Sequence, residues 1–211
     1  MIRRALLTLV LAASTIRPAA AQVLGIPVVN NGAPTGISIG ADMGFANDDY
    51  YGKGTAISGR AAIGLGFFGV SAAISRWNPS SDGAEAIWSP GAAATLRLLG
   101  GPLVPFRITM QAGVGHWSFG DETWTHVPLS LGIAATIPNP AFAIKPWIAP
   151  RIDVVHNSGG TLITGTDTHF GISGGVDIAL LSGLMIRGAY DRTSANGGHP
   201  TLISFGLGFS P

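Results

Sequence analysis

The sequence contains no cysteine, so no disulfide can hold the fold together and stability has to come from burial or from lipid. Charge is scarce as well. Asp, Glu, Lys and Arg make up 11% of residues, against roughly 25% in an ordinary soluble domain. Such a chain lacks the basic surface that nucleic-acid binding requires, and no nucleic-acid partner is expected. Beyond the N-terminus no run approaches the ~18 consecutive apolar residues of a membrane helix, although hydropathy is positive overall. Calcium repeats, phosphate-binding loops, zinc spacings and dinucleotide fingerprints are all missing, so neither cofactor nor metal is expected.

Residues 1–21 read as a secretory signal peptide: "MIRR", then the apolar "ALLTLVLAA", then a small-residue cleavage site after Ala21. Without Arg3, Arg4 and Arg17, 9 of the 12 basic residues remain against 11 acids, a formal charge of −2. Residues 22–34, "QVLGIPVVNNGAP", carry no periodicity and read as a flexible periplasmic lead-in. The remainder, 35–211, is rich in glycine; the chain holds 31 in 211 residues, about double the usual ~7%.

Apolar residues occupy alternate positions in ten segments between Ile37 and Phe209, the signature of half-buried strands. "ISFGLGF" at 203–209 is typical, with Ile, Phe, Leu and Phe on one face and Ser or Gly on the other. Short links such as "GF" (66–67) and "LSG" (181–183) alternate with long polar ones such as "NDDYYGKG", "SFGDETWT" and "NSGGTLITGTDT". The pattern predicts an all-β, up-and-down antiparallel transmembrane barrel of ten strands, or eight if the second to fourth segments are misread.

Charge placement orients the faces. The apolar parity carries Arg76 and Arg192 alone, both beside long loops. The other parity carries Asp42, Arg60, Arg97, Arg107, Lys145, Arg151, Asp153, Asp177, Arg187 and Asp191 among small residues. Ten charges over so many positions suit a narrow lumen in which they pair, with the aliphatic face turned to lipid. Aromatic belts fit the same orientation: Phe45, Tyr50, Tyr51, Trp77, Trp88, Trp117, Trp124, Phe170 and Tyr190 near the long loops, and Phe67, Phe68, Phe106, Phe142 and Phe209 near the short turns. Pro128, Pro146 and Pro150 fall inside strands and call for bulges or register ends.

"VPFRITMQAGVGHW", "KPWIAPRIDVV", "IRGAYDR" and "ISFGLGF" resemble strands of the small outer-membrane β-barrel proteins of the OmpA/OmpX-like type. The resemblance implies a bacterial outer-membrane location with both termini periplasmic, outer-membrane lipid and lipopolysaccharide as surroundings, and recognition of the last strand by the barrel-assembly machinery. Ser210 and Pro211 depart from the usual terminal aromatic.

Two motifs invite chemistry. "HNS" at 156–158 resembles the His-x-Ser of outer-membrane lipid A deacylases, with His156 as base, Ser158 as nucleophile, and Asp167 or Asp177 as orienting carboxylate. Against it stand Gly159 where that motif has Asn, and the plain reading of a polar strand end. "DTH" at 167–169 resembles half of the site of the ten-stranded outer-membrane proteases, but Asp48 and Asp49, the remaining acids, are adjacent rather than alternate. The loop acids Asp48, Asp49, Asp82, Glu85, Asp121, Glu122 and Asp167 form a rim that solvation accounts for. The expected function is therefore a non-enzymatic barrel that supports the envelope or presents loops to a partner. The alternatives are a narrow diffusion channel for small solutes and a deacylase.

Overall fold

The computed structural model describes residues 23–33, 35–46, 53–81, 83–100, 104–160, 164–194 and 198–210; the proposed signal peptide, Asp48, Asp49, Tyr50, Tyr51 and Asp82 lie outside them. The first six strands are β1 (Gly36–Ala46), β2 (Gly54–Gly64), β3 (Phe68–Pro79), β4 (Ile87–Leu99), β5 (Phe106–Phe119) and β6 (Glu122–Ala135). The two-residue β7 (Ile137–Pro138) continues β6 past a break at Thr136. Then come β8 (Phe142–Gly159), β9 (Gly165–Leu180), β10 (Leu184–Ser194) and β11 (Thr201–Phe209). With β6 and β7 counted as one barrel strand, this is the ten-stranded antiparallel barrel expected. Neighbours in sequence pair in space, β1 pairs with β11, and β6 with β8 joins the remaining edges. Closure removes every open edge, which hydrocarbon would otherwise leave without hydrogen-bond partners.

The orientation also holds. Ile39, Ile57, Ile74, Met110, Leu131, Ile152, Ile186 and Phe205 are exposed on the outer face, while Asp42, Arg151, Asp153, Asp177, Arg187 and Asp191 are buried within. Arg76 and Arg192 are exposed, as their parity requires. The three prolines fall where a ladder skips. Pro128 lies in the β5–β6 gap between the pairs Ala112–Leu129 and Gly115–His126. Pro150 lies in the β6–β8 gap between Ser130–Arg151 and Ile133–Ile148. Pro146 sits between the end of β6–β8 pairing at Ala134–Trp147 and the start of β7–β8 pairing at Ile137–Ile144. Each proline thus borders an interruption in one of its two ladders and stays in register in the other, Pro128 with Asp153, Pro146 with Val176 and Pro150 with Ile172.

Three expectations are corrected. "SFGDETWT" is no long loop: β5 runs to Phe119, β6 begins at Glu122, and Gly120–Asp121 form a tight turn between them. The loop "NSGGTLITGTDT" is shorter than expected: β8 runs to Gly159 and β9 begins at Gly165, so "HNS" ends β8 as expected and "DTH" lies within β9, strands whose 18 and 16 residues exceed the ~9–11 that cross a bilayer. Of the expected outer aromatic belt, Trp88, Phe170, Tyr190 and Phe45 do face outward. Trp77 and Trp117, however, point inward and are buried, at 2% and 7% exposure, and Trp124 packs against them. Their parity matches Ser75 and Gly115 on the lumen side, and parity outranks the belt tendency of tryptophan.

Candidate functional site: an occupied lumen

Residues 22–34 were expected as a flexible lead-in. Residues 23–33 lie instead inside the barrel: Val23, Leu24, Ile26, Val28, Asn30 and Ala33 are all buried. A turn closed by the Ile26 amide donating to the Val23 carbonyl (3.3 Å) sits toward the long-loop end. From there the chain descends the lumen to β1. An extended segment away from any ladder must find other partners for its backbone groups, and the wall supplies them from its small polar side chains. The Leu24 amide donates to Ser89 Oγ (3.1 Å), and Ser75 Oγ donates to the Leu24 carbonyl (2.8 Å). The Val28 amide donates to Asp191 Oδ2 (3.1 Å), and Gln111 Nε2 donates to the Val29 carbonyl (3.2 Å).

The lumen is layered, and the plug sequence matches its layers. At the long-loop end Val23, Leu24 and Ile26 join Ala56, Trp77 and Trp117 in an apolar cluster. Below it Arg151 spans the interior. Its Nε donates to both oxygens of Asp153 (2.8 and 2.9 Å). Its Nη1 donates to Asp191 Oδ2 (2.8 Å) and Ser173 Oγ (2.6 Å), and its Nη2 to Asp191 Oδ1 (2.8 Å) and Thr193 Oγ1 (2.9 Å). His126 Nε2 meets Asp153 Oδ1 at 2.9 Å. Next, Asn30 donates to Ser130 Oγ (3.0 Å) and accepts from Thr109 Oγ1 (2.7 Å). Toward the short turns Arg187 grips Asp177 with two parallel bonds (2.7 and 2.9 Å), and Asn31 donates to the same carboxylate. Arg60 pairs with Asp42 at 3.1 Å. Paired charges are what a narrow interior tolerates.

Seven of the ten sequence-derived lumen charges therefore form ion pairs: Asp42, Arg60, Arg151, Asp153, Asp177, Arg187 and Asp191. Arg97, Arg107 and Lys145 are half-buried and have no carboxylate within ion-pair distance among the described residues. Arg107 donates to Thr136 Oγ1 (2.8 Å). Sequence reasoning missed the plug, the inward tryptophans, and the buried His126 and His169. The parity rule applied to Asp153 and to its β9 neighbour His169 would have found the histidines.

Two glycines mark where the plug touches the wall backbone. A Cβ at Gly44 would lie 2.0 Å from the Gly25 carbonyl oxygen, and one at Gly132 would lie 2.3 Å from that of Asn30. Gly132→Val is accordingly expected to destabilise the barrel by about 1–3 kcal/mol through overpacking. Urea unfolding in vesicles followed by tryptophan emission measures this; unchanged stability would mean that the plug does not pass Gly132.

The structure separates the hydrolase residues. His156 and Ser158 share the outer face of β8, with His156 Nδ1 meeting Thr166 Oγ1 at 2.9 Å. Asp167 pairs in register with Val155, on the opposite parity, and Asp177 is held by Arg187 inside the barrel. Among the described residues no hydrogen bond joins His156 to Ser158 or to a carboxylate. The "DTH" pair divides as Asp167 exposed and His169 buried.

No protein-family model matches the chain, and no curated protein sequence matches it. Solved outer-membrane β-barrels do share its architecture. The β domain of the Bordetella autotransporter BrkA aligns with 84% of this chain and 100% of its own, at 15% identity and a TM-score of 0.56. Neisserial surface protein A covers 83% of this chain and 97% of its own (14% identity, TM-score 0.43). The outer membrane enzyme PagL covers 82% and 99% (13%, 0.41). At such identities the first likeness is one of fold alone, and the two lower scores carry nothing further.

Proposed function

We propose that this chain is a non-enzymatic barrel of the bacterial outer membrane, closed to solutes by its own N-terminal segment, that holds its long loops at the cell surface for contact with a partner. The observation that supports this reading is the lumen itself: residues 23–33 run along its axis, packed into an apolar cluster and then bonded to the Arg151 network. Ten strands enclose little room once side chains are counted, and here a peptide takes up much of what remains. The short turns and the last strand would face the periplasm, with residues 1–21 removed as a signal peptide and the C-terminal strand read by the assembly machinery. The outward tiers of β8 and β9, which continue beyond a bilayer's thickness, would form the wall on which surface contacts are made.

Purified protein in planar bilayers is expected to be electrically silent. Steady single-channel openings would favour the diffusion-channel alternative. Incubation with lipopolysaccharide is expected to release no acyl chain, and Ser158→Ala to change nothing in the lipid's mass. An acyl loss abolished by that substitution would overturn the non-enzymatic reading.

A further inference from the structure

Alongside the plug, from Val23 and Ile26 down to the short turns, the lumen leaves a cavity of about 430 Å³, a volume within the ~300–1,000 Å³ range of small-molecule sites. Its wall includes Leu180 and Gly183 of the β9–β10 turn region and Phe209 and Ser210 beyond it, so it reaches the short-turn rim. Four cations line it, Arg60, Arg107, Lys145 and Arg187, against two carboxylates, Asp42 and Asp177. The surplus is two positive charges. It contrasts with the tier above, where one guanidinium meets two carboxylates.

The hydrogen bonding is incomplete on this side alone of the two charged tiers. Arg187 is 2% exposed, yet its Nη1 has no partner; nor has Nη2 of Arg60 or Oδ1 of Asp42. The Arg151 tier leaves no such atom. Buried guanidinium nitrogens without acceptors are costly, and uncompensated cations in a confined space more so. Asp42 and Arg187 both register with Gly206 on β11, so the open acceptor and one open donor flank the same residue. Those three atoms are packed out of reach, so what the cavity offers a guest is its surplus of cations, above all Arg107 and Lys145, which have no carboxylate within ion-pair distance among the described residues. A phosphate group suits such a lining, its oxygens accepting from guanidinium and ammonium donors.

We propose that the short-turn half of the lumen is a binding chamber for a phosphate group, held by Arg60, Arg107, Lys145 and Arg187 and entered from the short-turn side. The apolar cluster at the other end closes the opposite approach. The phosphate can come from free solute or from a lipid headgroup, and the two are separable by experiment.

Full-length mature protein in a phosphate-free, non-ionic detergent is titrated calorimetrically with inorganic phosphate. Saturable binding with one site per barrel is expected. Lys145→Gln and Arg107→Gln should each weaken it by roughly tenfold or more, while Arg76→Gln on the outer face leaves it unchanged. Should Arg107→Gln fail to assemble, the half-buried Lys145 supplies the test alone. The titration is then repeated in nanodiscs of phosphatidylcholine and of phosphatidylglycerol. Binding retained in both assigns a free phosphate; binding lost only in phosphatidylglycerol assigns the headgroup of an anionic lipid. Absence of phosphate binding in detergent and in phosphatidylcholine discs alike, or equal binding by wild type and Lys145→Gln, overturns the proposal.

Discussion

Replacing Arg151 with methionine is expected to cost the folded barrel about 3–5 kcal/mol, because removing one partner of a buried ion pair strands the other. Here two carboxylates are stranded. Among the described residues Asp153 keeps only His126 and Asp191 only Ser173 and the Val28 amide, in an interior where Arg151 is 4% exposed. The same network predicts strong non-additivity. Arg151→Met combined with Asp153→Asn and Asp191→Asn should recover much of the loss, since charges that no longer need a partner are no longer penalised. Equilibrium unfolding in urea from lipid vesicles provides the comparison. A triple variant whose loss equals the sum of its parts would mean that the three groups do not act as one unit.

Deleting residues 23–33 is the second large perturbation. The barrel's ten-strand hydrogen-bond ladder does not involve this segment, so the wall should still assemble. Water would reach Trp77 and Trp117, which the plug's Val23, Leu24 and Ile26 now cover, and tryptophan emission should shift to the red. In planar bilayers the deletion variant is expected to conduct where the full chain is silent. Silence from both, with unchanged emission, would mean that the wall residues alone close the lumen. Should the deletion fail to insert, Val28→Arg offers a milder test. It places a charge at a position with 0% exposure, beside the carboxylate that the Val28 amide already uses.

The barrel was legible because its two signals are local and repeated. Period-two alternation marks each strand independently, as in Phe106 to Val114, and the closing strand's Ile203, Phe205, Leu207 and Phe209 are exposed as their spacing implies. The inward charges were equally legible, since a strand residue's face follows from counting alone. The same count would have turned Trp77 inward. The expectation of an interfacial belt overrode it, although a statistical tendency cannot move a side chain to the other face. The plug was illegible for a different reason. "VLGIPVVNNGA" has no period, and its backbone is satisfied by Ser75, Ser89, Gln111 and Asp191, residues up to 163 positions away. Only closure of the barrel brings those side chains together around one axis. Pairing within the lumen was readable as a need but not as a partner list. Arg151 could have paired with any nearby acid, and its selection of Asp153 and Asp191 depends on shear and plug position.

The central claim is that residues 23–33 occupy the lumen of the assembled barrel, and the lack of native cysteine makes it directly measurable. Single variants Val28→Cys and Asn30→Cys, with Ser81→Cys as an exposed control, are refolded into vesicles and treated with a water-soluble maleimide. The structure requires both plug cysteines to stay unlabelled in the folded barrel and to react fully in urea, while the control reacts at once. Labelling of both plug positions at the control's rate would contradict an occupied lumen.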